Sequence, residues 1–281
     1  MGLRINTNTS SLNAQRTLWG SKVALDKSME KLASGNRVNR AGDDAAGLAI
    51  SEALKAQIRG LKQASRNAQD GISLVQVAEG SMSEISSILI RLRELSVQSA
   101  SDTVGPTERQ FLNVEYDQLV SEIDRIAEGT EFNGTQLLAG VGSILDFQVG
   151  TRNNPEIDRI SFDASKADAN SIALGVNLTS VADKASAQNA LSAIDQAIVS
   201  VNAMRADFGA VQNRLQSTVA NIQVSIENMS AANSRIRDVD VAEETSEMTK
   251  NNILLQAGSS VLAQANQQAN VALGLLNKSF S

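Results

Sequence analysis

Apolar side chains recur at every seventh position through most of this chain. The longest register is Ile194, Val201, Phe208, Leu215, Ile222, Met229 and Ile236, with Leu191, Ile198, Val219 and Ile226 at the companion offset. Such a run over several heptads predicts a long helix with a coiled-coil seam. A second register runs through Leu54, Leu61, Ala68, Val75, Met82 and Leu89, backed by Ile58, Ile72, Ile85 and Leu92. A third, shorter one holds Leu112, Leu119 and Ile126 with Tyr116 and Ile123. The ends carry narrower stripes: Leu18, Leu25 and Leu32 in front, and Met248, Leu255, Leu262, Ala269 and Leu276 behind. These are flanked by Ser, Asn, Gln and Ala, so each terminal helix alone would bury little and be marginal. They need partners, either in other molecules or by pairing with each other and then oligomerising.

Punctuation separates the registers. Gly35 is placed to end the first helix in the left-handed conformation, Asp43 or Asp44 to cap the second, and Pro106 to open the third. From Ile144 the period drops to two: Leu145, Phe147 and Val149 alternate, Thr151–Pro155 turns, and Ile160 and Phe162 alternate again, predicting one β-hairpin over 144–163. Residues 164–187, rich in Ala, Ser, Asp and Asn, read as a short loop before the last long helix. A helix over 45–99 would be about 80 Å long, against a radius of gyration of about 19 Å for a compact chain of this size. The expected fold is mainly α: an elongated antiparallel helical bundle or coiled coil with one small hairpin, the terminal helices pairing as a second coiled-coil layer.

Composition narrows the chemistry. The sequence has no His and no Cys, which removes the commonest general base, thiolate nucleophiles, disulfides and zinc sites built on those ligands. Two Pro in 281 residues leave helices uninterrupted. A net charge of −6 opposes phosphate backbones, so nucleic acid is not an expected partner. No stretch approaches the roughly 18 apolar residues of a membrane span, and the N-terminus lacks the apolar core of a cleaved secretion signal. The acidic pair Asp43 and Asp44 has no third ligand and reads as helix capping. Asp238, Asp240, Glu243 and Glu244 lack the Gly and terminal Glu of an EF-hand and read as connector and first-turn acids. Gly140-Val141-Gly142 is half a dinucleotide fingerprint without its βαβ context. No catalytic residue, cofactor or metal is expected, and the chain reads as a non-enzyme.

Several blocks are recognisable: Ile5-Asn6-Thr7-Asn8 with Leu12-Asn13-Ala14; Leu32-Ala33-Ser34-Gly35 followed by Ala41-Gly42-Asp43-Asp44-Ala45-Ala46-Gly47-Leu48-Ala49-Ile50; Arg91-Leu92-Arg93-Glu94-Leu95-Ser96-Val97-Gln98; Glu131-Phe132-Asn133-Gly134; Ser234-Arg235-Ile236-Arg237-Asp238; and Leu255-Gln256-Ala257-Gly258 with Val261-Leu262-Ala263-Gln264-Ala265-Asn266. With these, the chain resembles bacterial flagellin, the subunit of the flagellar filament, in a short form without the variable outer domains that many relatives carry where residues 164–187 stand here. Gln267-Gln268-Ala269-Asn270 departs from relatives that have a proline there, and the seven-residue register predicts unbroken helix.

The resemblance implies a structural, non-enzymatic role, and the division it implies is threefold. Residues 1–40 would be the N-terminal helix of an inner coiled-coil layer, 41–236 an outer helical domain, and 237–281 a connector and the C-terminal inner helix. Leu18, Leu25, Leu32, Leu255, Leu262 and Leu276 would make the inner assembly contacts. Leu54, Leu61, Leu89, Val201, Phe208, Leu215 and Ile222 would form the packing seam of the outer domain. The implied mechanism is polymerisation of the chain with itself, its disordered ends folding on assembly. Export would use the flagellar type III pathway, with an export chaperone, a filament cap and hook-filament junction proteins as further partners. A junction subunit of the same axial family is the alternative. The surface that a vertebrate Toll-like receptor recognises in the family corresponds to Arg91, Leu95 and Glu115 here, although Ile90 replaces a Gln common in recognised relatives; the favoured native role is an Arg91–Glu115 ion pair with Leu95 in subunit packing, receptor recognition being a secondary consequence.

Overall fold

Helix boundaries follow from local chemistry that can be checked atom by atom. A computed structural model describes residues 7–141 and 144–279, with side chains described to Gln267. Helix α1 (Thr9–Ser34) starts where the Asn8 side chain accepts from the Ser11 N–H, and stops at Gly35, whose φ of 70° places it in the left-handed region. Of the two acids before α2 (Ala45–Ser99), Asp44 is the cap, accepting the Gly47 N–H at 2.8 Å. Pro106 opens α3 (Pro106–Gly129). After α3 come β1 (Glu131–Phe132), β2 (Thr135–Gln136), β3 (Ile144–Gln148), the single turn α4 (Pro155–Asp158) and β4 (Arg159–Asp163). Helix α5 (Lys184–Arg237) and helix α6 (Val241–Ser279) complete the chain. Asp240 caps α6 by accepting the Ala242 N–H at 2.8 Å. As the register predicts, α6 passes through Gln267–Asn270 without a break.

The chain forms two compact units: residues 57–227, and residues 1–56 together with 228–281. In the first, α2 and α5 run antiparallel, as the pairs Arg93–Asp195 at 2.7 Å and Glu79–Arg205 at 3.9 Å show. The α5 stripe points inward as its register predicts: Ile194, Val201, Phe208, Leu215 and Ile222 are all buried. On α2, Ala68, Val75, Met82 and Leu89 are fully buried, and α3 adds Tyr116, Ile123 and Ala127 to this core.

The hairpin β3–β4 pairs Leu145 with Phe162 and Phe147 with Ile160. It rests on α2 where that helix has shed side chains. A Cβ on Gly71 would stand 2.9 Å from the Phe147 ring, and one on Gly60 would stand 2.8 Å from the Thr151 methyl. Between them Asn67 donates to the Gln148 carbonyl at 3.0 Å. On the same face as Phe147, the Phe162 ring lies 4.6 Å from that of Phe208 on α5. The strands are not joined by the simple turn expected at Thr151–Pro155, because Asn154 caps α4 there and extends the return.

Two further features differ from the sequence expectation. A second hairpin, β1–β2, precedes the expected one; Asn133 and Gly134 have φ of 50° and 77°, the two positive values of a type I′ turn. The segment between β4 and α5 is a loop, but one sewn into the core. Ala167, Ala169, Leu174, Val176 and Val181 are buried. Asp124 of α3 accepts both the Ser171 N–H and its hydroxyl, and Asn113 accepts the Val181 N–H.

Three substitutions test this packing by denaturant unfolding. Phe208→Ala should cost about 3–5 kcal/mol, because a fully buried ring leaves a cavity. Gly71→Ala should destabilise by pressing on Phe147, whereas Gly80→Ala, which meets nothing within 4 Å, should stabilise by up to about 1 kcal/mol.

Candidate functional site

The unit made by the two ends of the chain is built from α1, α6 and the connectors beside them. Helices α1 and α6 run antiparallel along their length. Asn8 donates to the Ala265 carbonyl at 2.8 Å, Ser11 hydrogen-bonds Asn266 at 2.9 Å, Leu18 lies against Gly258, and Lys31 pairs with Glu244 at 3.0 Å. At the far end the connectors hold each other. The Arg37 N–H donates to the Arg237 carbonyl at 2.6 Å and the Val239 N–H to the Gly35 carbonyl at 3.1 Å. The start of α2 and the end of α5 join this unit through Ser51–Asn233 at 2.7 Å and Glu52–Arg237 at 2.6 Å.

Its burial pattern is inverted with respect to an ordinary globular core. Among the described side chains, the buried ones include Ser11, Ser28, Ser51, Asn251 and Ala265, with Val38 the one large aliphatic. Leu18, Leu25, Leu32, Leu255 and Leu262 line the helix pair but are only half-buried. Leu276 lies outside the residues whose side chains are described. Meanwhile Leu12, Trp19, Val23, Met29, Ile50, Val241, Ile253, Leu254 and Val261 are exposed, Trp19 at 72%. Isolated exposed apolar residues are normal, but a unit that exposes its large side chains and buries serine and asparagine has its apolar surface still to cover.

Ion pairs staple α1 at its end. Lys27 meets Asp43 at 2.7 Å, so Asp43 leaves the capping to its neighbour and serves as a clasp, also accepting the N–H groups of Arg40 and Asn39. The Lys27 ammonium and these N–H groups hold the Asp43 carboxyl below the usual aspartate range, and Asp43 in turn raises Lys27. For Glu244, burial pushes the carboxyl up, but hydrogen bonds from Ser28 and Lys31 with the charges of Lys31 and Lys27 outweigh it, and the net direction is down.

Apart from Leu54, the remaining sequence candidates fall in the unit of residues 57–227. Leu89, Val201, Phe208, Leu215 and Ile222 are buried, while Leu61 is half-buried; Leu54, in the end unit, is also half-buried. Arg91 bridges Glu115 of α3 at 2.8 Å and Glu94 at 2.9 Å, all three exposed. Leu95 does not share their surface: it is 0% exposed, inside the core. Among the described residues no cluster of acids is disposed to hold a metal, and no helix is long and apolar enough to cross a membrane. Gly140 turns the chain with φ of 68° beside Asp168, and Gly142 lies outside the described residues. The heptad stripes did not reveal that apolar residues off the stripe, Trp19 and Val261 among them, would stand exposed. The signal available was the presence of large apolar residues outside the seven-residue register, Leu12, Trp19, Val23 and Met29 in α1 and Ile253, Leu254 and Val261 in α6.

Comparison with known proteins agrees with this architecture. The bacterial flagellin N-terminal helical region matches residues 5–143, and the bacterial flagellin C-terminal helical region matches residues 191–276. The chain is 49% identical over 272 residues to the flagellin of Halalkalibacterium halodurans, covering 97% of this chain and 99% of that protein. It is 46% identical over 288 residues to the flagellar filament 33 kDa core protein of Treponema phagedenis, covering 97% and 99%. The crystal structure of Bacillus cereus flagellin aligns with a TM-score of 0.50 and 34% identity, over 60% of this chain and 94% of that one. With both helical regions present in order and full-length relatives matching nearly end to end, this chain belongs to the bacterial flagellin family.

Proposed function

We propose that the chain is a structural subunit that assembles with copies of itself into the flagellar filament used for swimming. The observation that carries this reading is the inverted burial of the end unit, where nine large apolar side chains stand exposed around a seam of serine, asparagine and alanine. Each such side chain contributes about 1.5–3 kcal/mol when taken out of water. One pairwise contact must also offset the lost freedom of the two molecules. A lattice in which every copy has several neighbours covers all faces of a helix pair, which a dimer does not.

On this reading, α1 and α6 form an inner coiled-coil layer, with Leu18, Leu25, Leu32, Leu255, Leu262 and Leu276 at its contacts. Their full ordering is coupled to assembly. The unit of residues 57–227, with its own core, supplies a layer whose fold does not wait for partners. The finished filament lies outside the cell, reached through the flagellar type III pathway. An export chaperone holding α6, a cap at the growing end and junction proteins at the base complete the set of partners. The salt bridge of Arg91 and Glu115 braces α2 against α3 in the native subunit. A Toll-like receptor surface at this place would consist of that pair without Leu95.

Three measurements test the reading. Trp19, the sole tryptophan, should emit as a solvent-exposed indole in the monomer and shift to the blue in seeded polymer; an unchanged spectrum counts against burial on assembly. Deleting residues 255–281 should abolish fibres seen by electron microscopy while the helical signal of residues 57–227 persists. The third is acid. Because Asp43 and Glu244 are lowered in the folded state, their contribution is present above the ordinary carboxylate range and is lost as pH falls through their lowered values. Amide exchange in α1 and α6 should therefore accelerate in that acid window while α3 stays protected.

A further inference from the structure

The tight turn between β1 and β2 is the one place where an asparagine is followed by glycine in this chain. Both residues are exposed, and among the described residues the Asn133 side chain makes no hydrogen bond. The geometry points to Asn133 as a site of covalent ageing: loss of its side-chain amide through a cyclic imide formed with Gly134. This inference is independent of the filament reading.

The chemistry needs only water. The Gly134 backbone nitrogen gives up its proton to hydroxide and attacks the Asn133 side-chain carbonyl carbon. The new C–N bond closes a five-membered ring, and the bond to the side-chain nitrogen breaks, releasing ammonia. Water then opens the imide at either carbonyl, leaving aspartate or, more disruptively, isoaspartate. Glycine matters because a Cβ at the next position would crowd the attacking nitrogen. In a helix that nitrogen is committed to a carbonyl four residues back and is held away. Here it sits in a turn closed by a hairpin of only two residue pairs, Glu131 with Gln136 and Phe132 with Thr135. A ladder that short opens at little cost, and ring closure can proceed from the opened turn.

The location gives the reaction a structural consequence. Directly after β2, Leu137 and Leu138 are fully buried, and the Leu137 N–H donates to the Thr130 carbonyl at 3.0 Å. Isoaspartate adds a carbon to the main chain in a two-residue turn whose pairing has no room for one. The new carboxylate also adds a second negative charge two residues from Glu131. The register of β1–β2, and with it the seating of Leu137, should loosen in converted molecules.

The test uses the full-length monomer held in mildly alkaline buffer and then digested with trypsin. Cleavage after Arg125 and Arg152 yields a peptide, residues 126–152, that contains Asn133 as its only asparagine. This peptide should gain the mass of amide-to-acid conversion roughly an order of magnitude faster than peptides carrying the asparagines of α5, whose amides exchange and open far less. Fragmentation should place the change at residue 133 in both aspartyl and isoaspartyl forms. Asn133→Gly keeps the positive φ and removes the reacting amide, so its peptide should stay unchanged. Conversion no faster than in α5, or an equal mass gain in the Asn133→Gly chain, would overturn the assignment.

Discussion

A seven-residue apolar stripe on a helix must find something to face, and the structure of this chain turns on where each stripe finds it. In α5 the stripe from Ile194 to Ile222 is covered completely by other parts of the same molecule, chiefly α2, α3, the hairpin and the loop before α5. That unit is therefore finished when the chain folds. In α1 and α6 the stripes meet each other but are too narrow to cover the helices. The pair is held by polar contacts at its ends and by one close approach at Gly258, with leucines half in water. The same repeat thus yields one unit that is stable by itself and one that is suited to association.

The polar seam of the end unit bears on specificity as much as on stability. Buried serine and asparagine contribute little free energy, yet they penalise displaced registers, because a slipped helix would leave them unpaired. Ser11 with Asn266, and Lys31 with Glu244, act at well-separated points along the two helices. The clasp of Lys27 on Asp43 then fixes the exit of the chain toward α2.

Helices, their caps at Gly35, Asp44 and Pro106, and the inward face of α5 were legible because each depends on neighbours in sequence. The β3–β4 strands were legible for the same reason, through their alternation. What escaped was set by contacts distant along the chain. The anchoring of the loop after β4 depends on Asp124 and Asn113, whose partners are dozens of residues away. Leu95, for which packing was one of two readings, joins a core cluster that also draws residues from α3 and α5. The β1–β2 hairpin was within reach, since Asn-Gly is a strong turn signal, but strands of two residues are too short for alternation to register.

The way the loop between β4 and α5 is fastened has a consequence for how such chains can grow. Its hydrogen bonds at Ser171 and Val181 flank a tip where Leu178 is 91% exposed. Closing a longer excursion between two fixed posts costs only logarithmically more with length. Whole guest segments could be spliced at this tip while both posts stay where they are.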